Sequence, residues 1–132
     1  MKTIKVIVAG GRNFNDASKA KVILATMMEE VNIEIVSGMA KGADMLGYDF
    51  AKDNNLTCHE FPANWDDVTV PGAVIRSRNG RDYNVIAGHM RNKAMAAFAD
   101  LLVAFWDGKS TGTKHMIETM KSLGKPVFII YY

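Results

Sequence analysis

Cysteine is almost missing from this chain: Cys58 stands alone among 132 residues. An internal disulfide is thereby excluded, and the place of Cys58 in the run Thr57-Cys58-His59-Glu60-Phe61 suggests a buried, inert thiol. The three histidines, His59, His89 and His115, share no metal-ligand spacing, so with one cysteine no metal site is expected. Long apolar runs are missing too. No stretch approaches the roughly 18 residues of a membrane span, and Met1-Lys2-Thr3 leads directly into a strand pattern without the apolar segment of a signal peptide. No membrane partner is expected, and a reducing cytoplasm is the simplest setting. Charge of one sign is scarce, since 16 basic and 14 acidic side chains leave a net charge of +2. That is too little to carry a nucleic-acid footprint by itself.

Two nucleotide signatures are also absent. The phosphate-loop pattern G-x-x-x-x-G-K-[ST] fails at Gly108-Lys109-Ser110, which lacks the upstream glycine, so ATP hydrolysis of that type is not expected. The dinucleotide pattern G-x-G-x-x-G fails after the first strand, where Gly10-Gly11-Arg12 stands instead. No cofactor is called for.

What is present is alternation. The hydrophobic fraction of 48% and charged fraction of 23% are those of a globular chain, and the length suits one domain over residues 1–132. Ile4 to Ala9 and Leu101 to Phe105 are β-branched or apolar throughout, as strands buried on both faces must be. Shorter strands are expected at Glu34 to Val36, Thr57 to Phe61 and Val127 to Ile130. Helices are expected between them. The first is capped by Asn15 or Asp16 and buries Ala20, Leu24, Met27 and Val31. The second runs over about 43–54 and is ended by Asn54 or Asn55. The third covers 84–99, with Ile86, Met90, Ala94 and Ala97 inward, and the last buries Met116, Ile117, Met120 and Leu123. Residues 62–83 show no period and are expected to form a long functional loop carrying Trp65, Arg76, Arg78 and Arg81. The fold class is α/β: a three-layer α/β/α sandwich with a parallel sheet of about five strands, order 3-2-1-4-5. Its ligand site is expected at the switch point between strands one and four.

Three glycine turns open toward that point. Ser37-Gly38-Met39-Ala40-Lys41-Gly42-Ala43-Asp44 joins a strand to a helix, and Gly38 and Gly42, flanked by Ser37 and Lys41, fit the approach of a phosphate. They also fit a tight turn alone. Asp44 lies in the first helical turn, where a carboxylate either serves a ligand or complements the helix dipole. Gly10 and Gly11 precede Arg12, a cation able to reach an anionic ligand. Phe14 either stacks on a base or staples its helix. Gly108, Ser110, Thr111, Gly112 and Thr113 form the third turn, whose hydroxyls can cap the helix, donate to phosphate, or both. Asp107, at the end of a buried strand, is the first choice for an acid, with turn formation as its plain alternative. Trp65 either covers a base or anchors its loop.

Four ordered segments carry a family likeness: Gly10 to Asp16; Ser37 to Asp44; Ala87-Gly88-His89-Met90-Arg91-Asn92-Lys93-Ala94-Met95; and Trp106 to Thr113. With them the chain resembles the SLOG superfamily, which includes the LOG phosphoribohydrolases and the DprA DNA-processing proteins, and within it the small bacterial and phage YspA-like proteins. The resemblance implies a Rossmann-like domain that binds nucleotides, with Arg91 and Asn92 joining the site and Arg91 matching a catalytic arginine of the LOG enzymes. In those enzymes the turn reads G-G-x-G-T-x-x-E, and its glutamate serves cleavage of the N-glycosidic bond of a nucleoside 5′-monophosphate. Gly112-Thr113 matches, but Met116 occupies the glutamate position, and a thioether can neither transfer a proton nor stabilise an oxocarbenium ion.

The expected function is binding of a nucleotide or nucleotide-derived small molecule, as sensor or sequestering protein. Two alternatives stand beside it. One is LOG-type hydrolysis, with Asp107, Asp44 and Arg91 as candidate catalytic residues. The other is DprA-like single-stranded DNA binding through Arg76, Arg78, Arg81 and Trp65. By analogy with LOG proteins a homo-oligomer is also considered, with Tyr131 and Tyr132 as interface candidates.

Overall fold

The elements of the computed structural model, which describes residues 1–132, follow in the order β1 (Thr3–Gly10), α1 (Ala17–Met28), β2 (Asn32–Ser37), α2 (Ala43–Asp53), β3 (Cys58–Glu60), β4 (Ile75–Arg78), β5 (Arg81–Asn84), α3 (Ala87–Phe98), β6 (Leu101–Trp106), α4 (Thr111–Ser122) and β7 (Val127–Tyr131). Five strands form one parallel sheet in the order β3-β2-β1-β6-β7. This is the 3-2-1-4-5 arrangement expected from the strand–helix alternation. Because successive side chains point to opposite faces, the apolar runs feed two cores. Val6, Val8, Ile35, Val103 and Phe105 meet α1 and α2 on one face. Ile7, Ala9, Val36, Leu102 and Ala104 meet α3 and α4 on the other.

Local chemistry sets most helix ends. The Asp16 carboxylate accepts from the Lys19 N–H and caps α1. After α2, Asn55 takes the left-handed conformation with φ 54°, while Asn54 does not. The Ser110 hydroxyl accepts from the Thr113 N–H and caps α4.

Four expectations need correction. Residues 62–83 are not a structureless loop, because Ile75–Arg78 and Arg81–Asn84 pair as an antiparallel hairpin. Its two-residue turn is Asn79-Gly80, with φ of 53° and 74°, the positive values that a tight turn matched to strand twist demands. Helix α3 starts three residues later than expected and turns a different side inward: Asn92, Met95 and Ala96 are buried whereas Ala94 and Ala97 are exposed. With alanine on several sides, the segment offers no unique apolar stripe. Leu123 is 52% exposed, since it lies beyond the end of α4 and has left the helical face. Cys58 is only half-buried, although burial still pushes its thiol pKa up.

Candidate functional site

A cleft of about 500 Å³ opens beyond the C-terminal ends of β1 and β6, between the loops that follow them. Gly10, Gly11, Arg12 and Asn13 form one wall, and Asp107 with Ser110 to Thr113 forms the next. Helix α3 contributes Gly88, His89, Arg91, Asn92 and Met95, and Trp65 and Val85 close the side nearest the hairpin. The site therefore lies at the switch point that the strand order implies.

The turn before α4 is built around one carboxylate. Asp107 Oδ1 accepts from the N–H groups of Lys109 and Ser110, both at 2.8 Å, and these bonds hold its pKa below the usual carboxylate range. The Trp106 indole N–H donates to the Ser110 carbonyl at 3.0 Å and pins the turn from below. Asp107 is thus an ionised turn-former, the plain alternative for this residue, and is ill-suited to donate a proton. The N–H groups of Thr111 and Gly112 have no acceptor in the chain. They stand at the positive end of the α4 dipole beside the cleft, with the Ser110 and Thr113 hydroxyls next to them.

The Ser37 to Asp44 turn is organised differently. The Ser37 hydroxyl donates to the Asp44 carbonyl and accepts from the Met39 N–H. The Ala40 N–H donates to Asp44 Oδ2 at 3.3 Å, and the Ala43 N–H donates to the Gly11 carbonyl. Gly42, at φ 83°, packs so tightly on the Gly11–Arg12 backbone that a side chain there would collide with it. Of this motif only Ala40 and Asp44 border the cleft, while Ser37, Gly38, Lys41 and Gly42 do not. The motif spends donors on holding two turns together, a support role that spacing alone could not reveal.

Asp44 is 5% exposed. Burial raises its pKa to about 6, against the opposing pull of Arg91, the Ala40 and Gly10 N–H groups and Arg12. This makes Asp44, rather than Asp107, the carboxyl with unusual acidity in the cleft. Arg91 is half-buried, with Nη1 donating to the Gly38 and Phe61 carbonyls and Nε donating to Asn92 Oδ1 at 3.0 Å. Asn92 Nδ2 in turn donates to the Gly112 carbonyl at 3.3 Å and to His115 Nδ1 at 3.2 Å. Arg91 and Asn92 thereby tie the second glycine turn to the third. His115 stacks on His89 with ring centroids 3.9 Å apart, and burial with the neighbouring His89 and Lys93 lowers its pKa.

Phe14 lies outside the cleft, buried and stacked on Phe105 at 4.3 Å. Gly108 also lies outside the lining. Met116 is buried beneath the cleft, so the position of the LOG glutamate holds an apolar floor. Residues that sequence reasoning did not place in the site are Ala9, Asn13, Ala40, Val85, Gly88, His89 and Met95; most lie in the segments that carry the family likeness, but each reaches the cleft only through the packing of its element.

Residues 4–67 match the model of the YAcAr family, described as the YspA, cpYpsA-related SLOG family. Over this segment, just under half of its 132 residues, the chain is similar to that SLOG family. No curated protein matches the sequence. Among solved structures, DNA processing protein A (DprA) from Streptococcus pneumoniae is similar with a TM-score of 0.72 and 21% identity over 97% of this chain and 50% of that one. DNA processing protein A from Helicobacter pylori, a structure described for its single-stranded DNA binding mode, is similar with a TM-score of 0.66 and 19% identity over 96% of this chain and 64% of that one. The chain thus spans only part of each of those proteins, and at these identities the likeness is one of fold. No helix is long and apolar enough to cross a membrane.

Proposed function

We propose that the chain binds a nucleotide or nucleotide-derived small molecule in this cleft, as a sensor or sequestering protein, with a phosphate at the first turn of α4. The observation that carries the reading is the pair of uncommitted N–H groups at Thr111 and Gly112, beside a cleft that also presents the Arg12 side chain. Two free donors on a helix N-terminus with hydroxyls alongside form an anion site that needs no further charge. Trp65 and Val85, on the side nearest the hairpin, supply an apolar surface on which a base can lie. The match of residues 4–67 to the SLOG family model supports this assignment.

Asp44 favours a second reading, hydrolysis of an N-glycosidic bond. A carboxyl with a pKa of about 6 holds its proton near neutrality and can deliver it to a departing base. This route differs from that of the LOG enzymes because it does not use the position of Met116.

The test is incubation with AMP, ADP-ribose, NAD and cyclic dinucleotides, followed by mass spectrometry of the nucleotide and thermal unfolding of the same samples. A raised unfolding midpoint with intact nucleotide is the expected result. Gly112→Ala should remove the rise without harm to the fold, because a methyl at Gly112 meets no protein atom within 4 Å and would stand beside the bound phosphate. Release of free base that disappears in Asp44→Asn would establish the hydrolase instead. Neither signal with any compound would refute the small-ligand reading.

A further inference from the structure

The hairpin has a surface chemistry of its own. Directly opposed residues of an antiparallel pair share a face, as do residues two apart on one strand. Arg76 opposes Tyr83 and Arg78 opposes Arg81, so three guanidinium groups and one aromatic ring stand on a single face. All three arginines are exposed, and Tyr83 is half-buried. The opposite face carries Ile75, Ser77, Asp82 and Asn84. There the Ser77 hydroxyl donates to Asp82, and the buried Asn84 accepts from the Val74 and Ile86 N–H groups. The hairpin's only carboxylate is therefore held away from the arginines. Of the nearby acids, Asp67 accepts from the hydroxyl and N–H of Thr69. Asp66 lies 3.5 Å from Arg81 in an exposed pair, an arrangement that contributes little. Arg76 and Arg78 form no ion pair.

Like charges placed directly opposite, as Arg78 and Arg81 are, destabilise a sheet. A polyanion lying across the face removes that repulsion. We propose that this face docks the phosphodiester backbone of a single-stranded nucleic acid, with Tyr83 as a stacking surface. Arg76 and Arg78 are two residues apart, about 6.8 Å along a strand, a step comparable to that between successive phosphates of an extended chain. Guanidinium forks match phosphate oxygens two at a time. At the foot of the hairpin the Asn84 N–H donates to the Trp65 carbonyl at 2.7 Å. That bond joins the hairpin to Trp65, a second ring, 40% exposed, that lines the cleft. Cationic side chains interleaved with aromatic rings suit unstacked bases and not a closed duplex. The proposal is independent of what the cleft binds.

The test uses the full chain and a fluorescent oligothymidylate of about 12 nucleotides, with anisotropy recorded over a range of salt. Wild type is expected to bind with a steep salt dependence. The triple variant Arg76→Gln, Arg78→Gln, Arg81→Gln should bind at least tenfold more weakly, with a log–log salt slope shallower by about 2. Tyr83→Leu should weaken binding and keep the slope, whereas Gly112→Ala should leave both unchanged. The oligonucleotide should also protect Arg76, Arg78 and Arg81 of the wild type from phenylglyoxal, a measurement that does not depend on how the variant folds. Absence of binding at low salt, an unaltered triple variant or unprotected arginines would overturn the proposal. Equal affinity for polyglutamate would assign the face to an acidic protein, and equal affinity for a duplex would remove the single-strand assignment.

Discussion

Arg91 and Asp44 come from helices on opposite faces of the sheet and converge on one point beside Gly38. A methyl group on Gly38 would stand 2.7 Å from Asp44 Oδ2 and would overlap Arg91 Nη1. The two side chains form no ion pair, but they share the space that a glycine leaves. The glycine of the Ser37 to Asp44 motif is thus required by what packs on it.

Gly38→Ala should therefore destabilise the chain by about 1–3 kcal/mol, because neither Arg91, held by three acceptors, nor the buried Asp44 can move freely. Urea unfolding of the variant measures this. A loss no greater than that of an exposed glycine-to-alanine change such as Gly112→Ala would show that the two side chains swing aside.

The pH dependence of stability follows from Asp44. Its pKa rises from 3.8 to about 6 on folding, so the folded chain keeps a proton that the unfolded chain releases. Stability from this group is fully present below about pH 4 and is lost as pH rises through about 6, by up to about 3 kcal/mol. Urea midpoints measured across that window should fall for wild type and stay flatter for Asp44→Asn. Parallel curves for the two proteins would place the titrating group elsewhere.

Asn92 joins Arg91, His115 and the Gly112 carbonyl. Replacing it with leucine keeps volume but leaves these groups without partners, for an expected loss of about 1–3 kcal/mol. Ligand affinity should fall as well, since the first turn of α4 loses its tie to α3. Nucleotide titration calorimetry on Asn92→Leu, with its thermal midpoint, reads both effects.

Asp107 is expected to behave as a turn-former. Asp107→Asn keeps an oxygen for the Lys109 and Ser110 N–H groups and should stay close to wild type, whereas Asp107→Ala should lower both the thermal midpoint and ligand affinity. If asparagine proved as damaging as alanine, charge and not geometry would be what the site needs from Asp107.

Much of the architecture was legible in the chain. Runs such as Ile4 to Ala9 and Leu101 to Phe105 can only be strands covered on both faces, and their alternation with helices leads to the observed strand order. Asp16 and Ser110 cap the helices they precede. The hairpin was missed, although Arg78-Asn79-Gly80-Arg81 carries its signal, Asn-Gly being the strongest short turn signal for paired strands. It is obscured by the scarcity of apolar residues beside it, a consequence of how little the hairpin buries. Which side of α3 faces inward was not legible, since alanine lies on several sides and only the neighbouring α4 selects one.

The sequence by itself determined the layers, the strand order and the position of the cleft, because these follow from local periodicity and helix capping. Only the tertiary structure decided the chemistry within the cleft. It left donors free at Thr111 and Gly112, engaged those of Met39, Ala40 and Ala43, ionised Asp107 and buried Asp44. The reason is that the acidity of a carboxyl and the freedom of an N–H depend on burial and on partners distant in the chain, and neither is written in the spacing of residues.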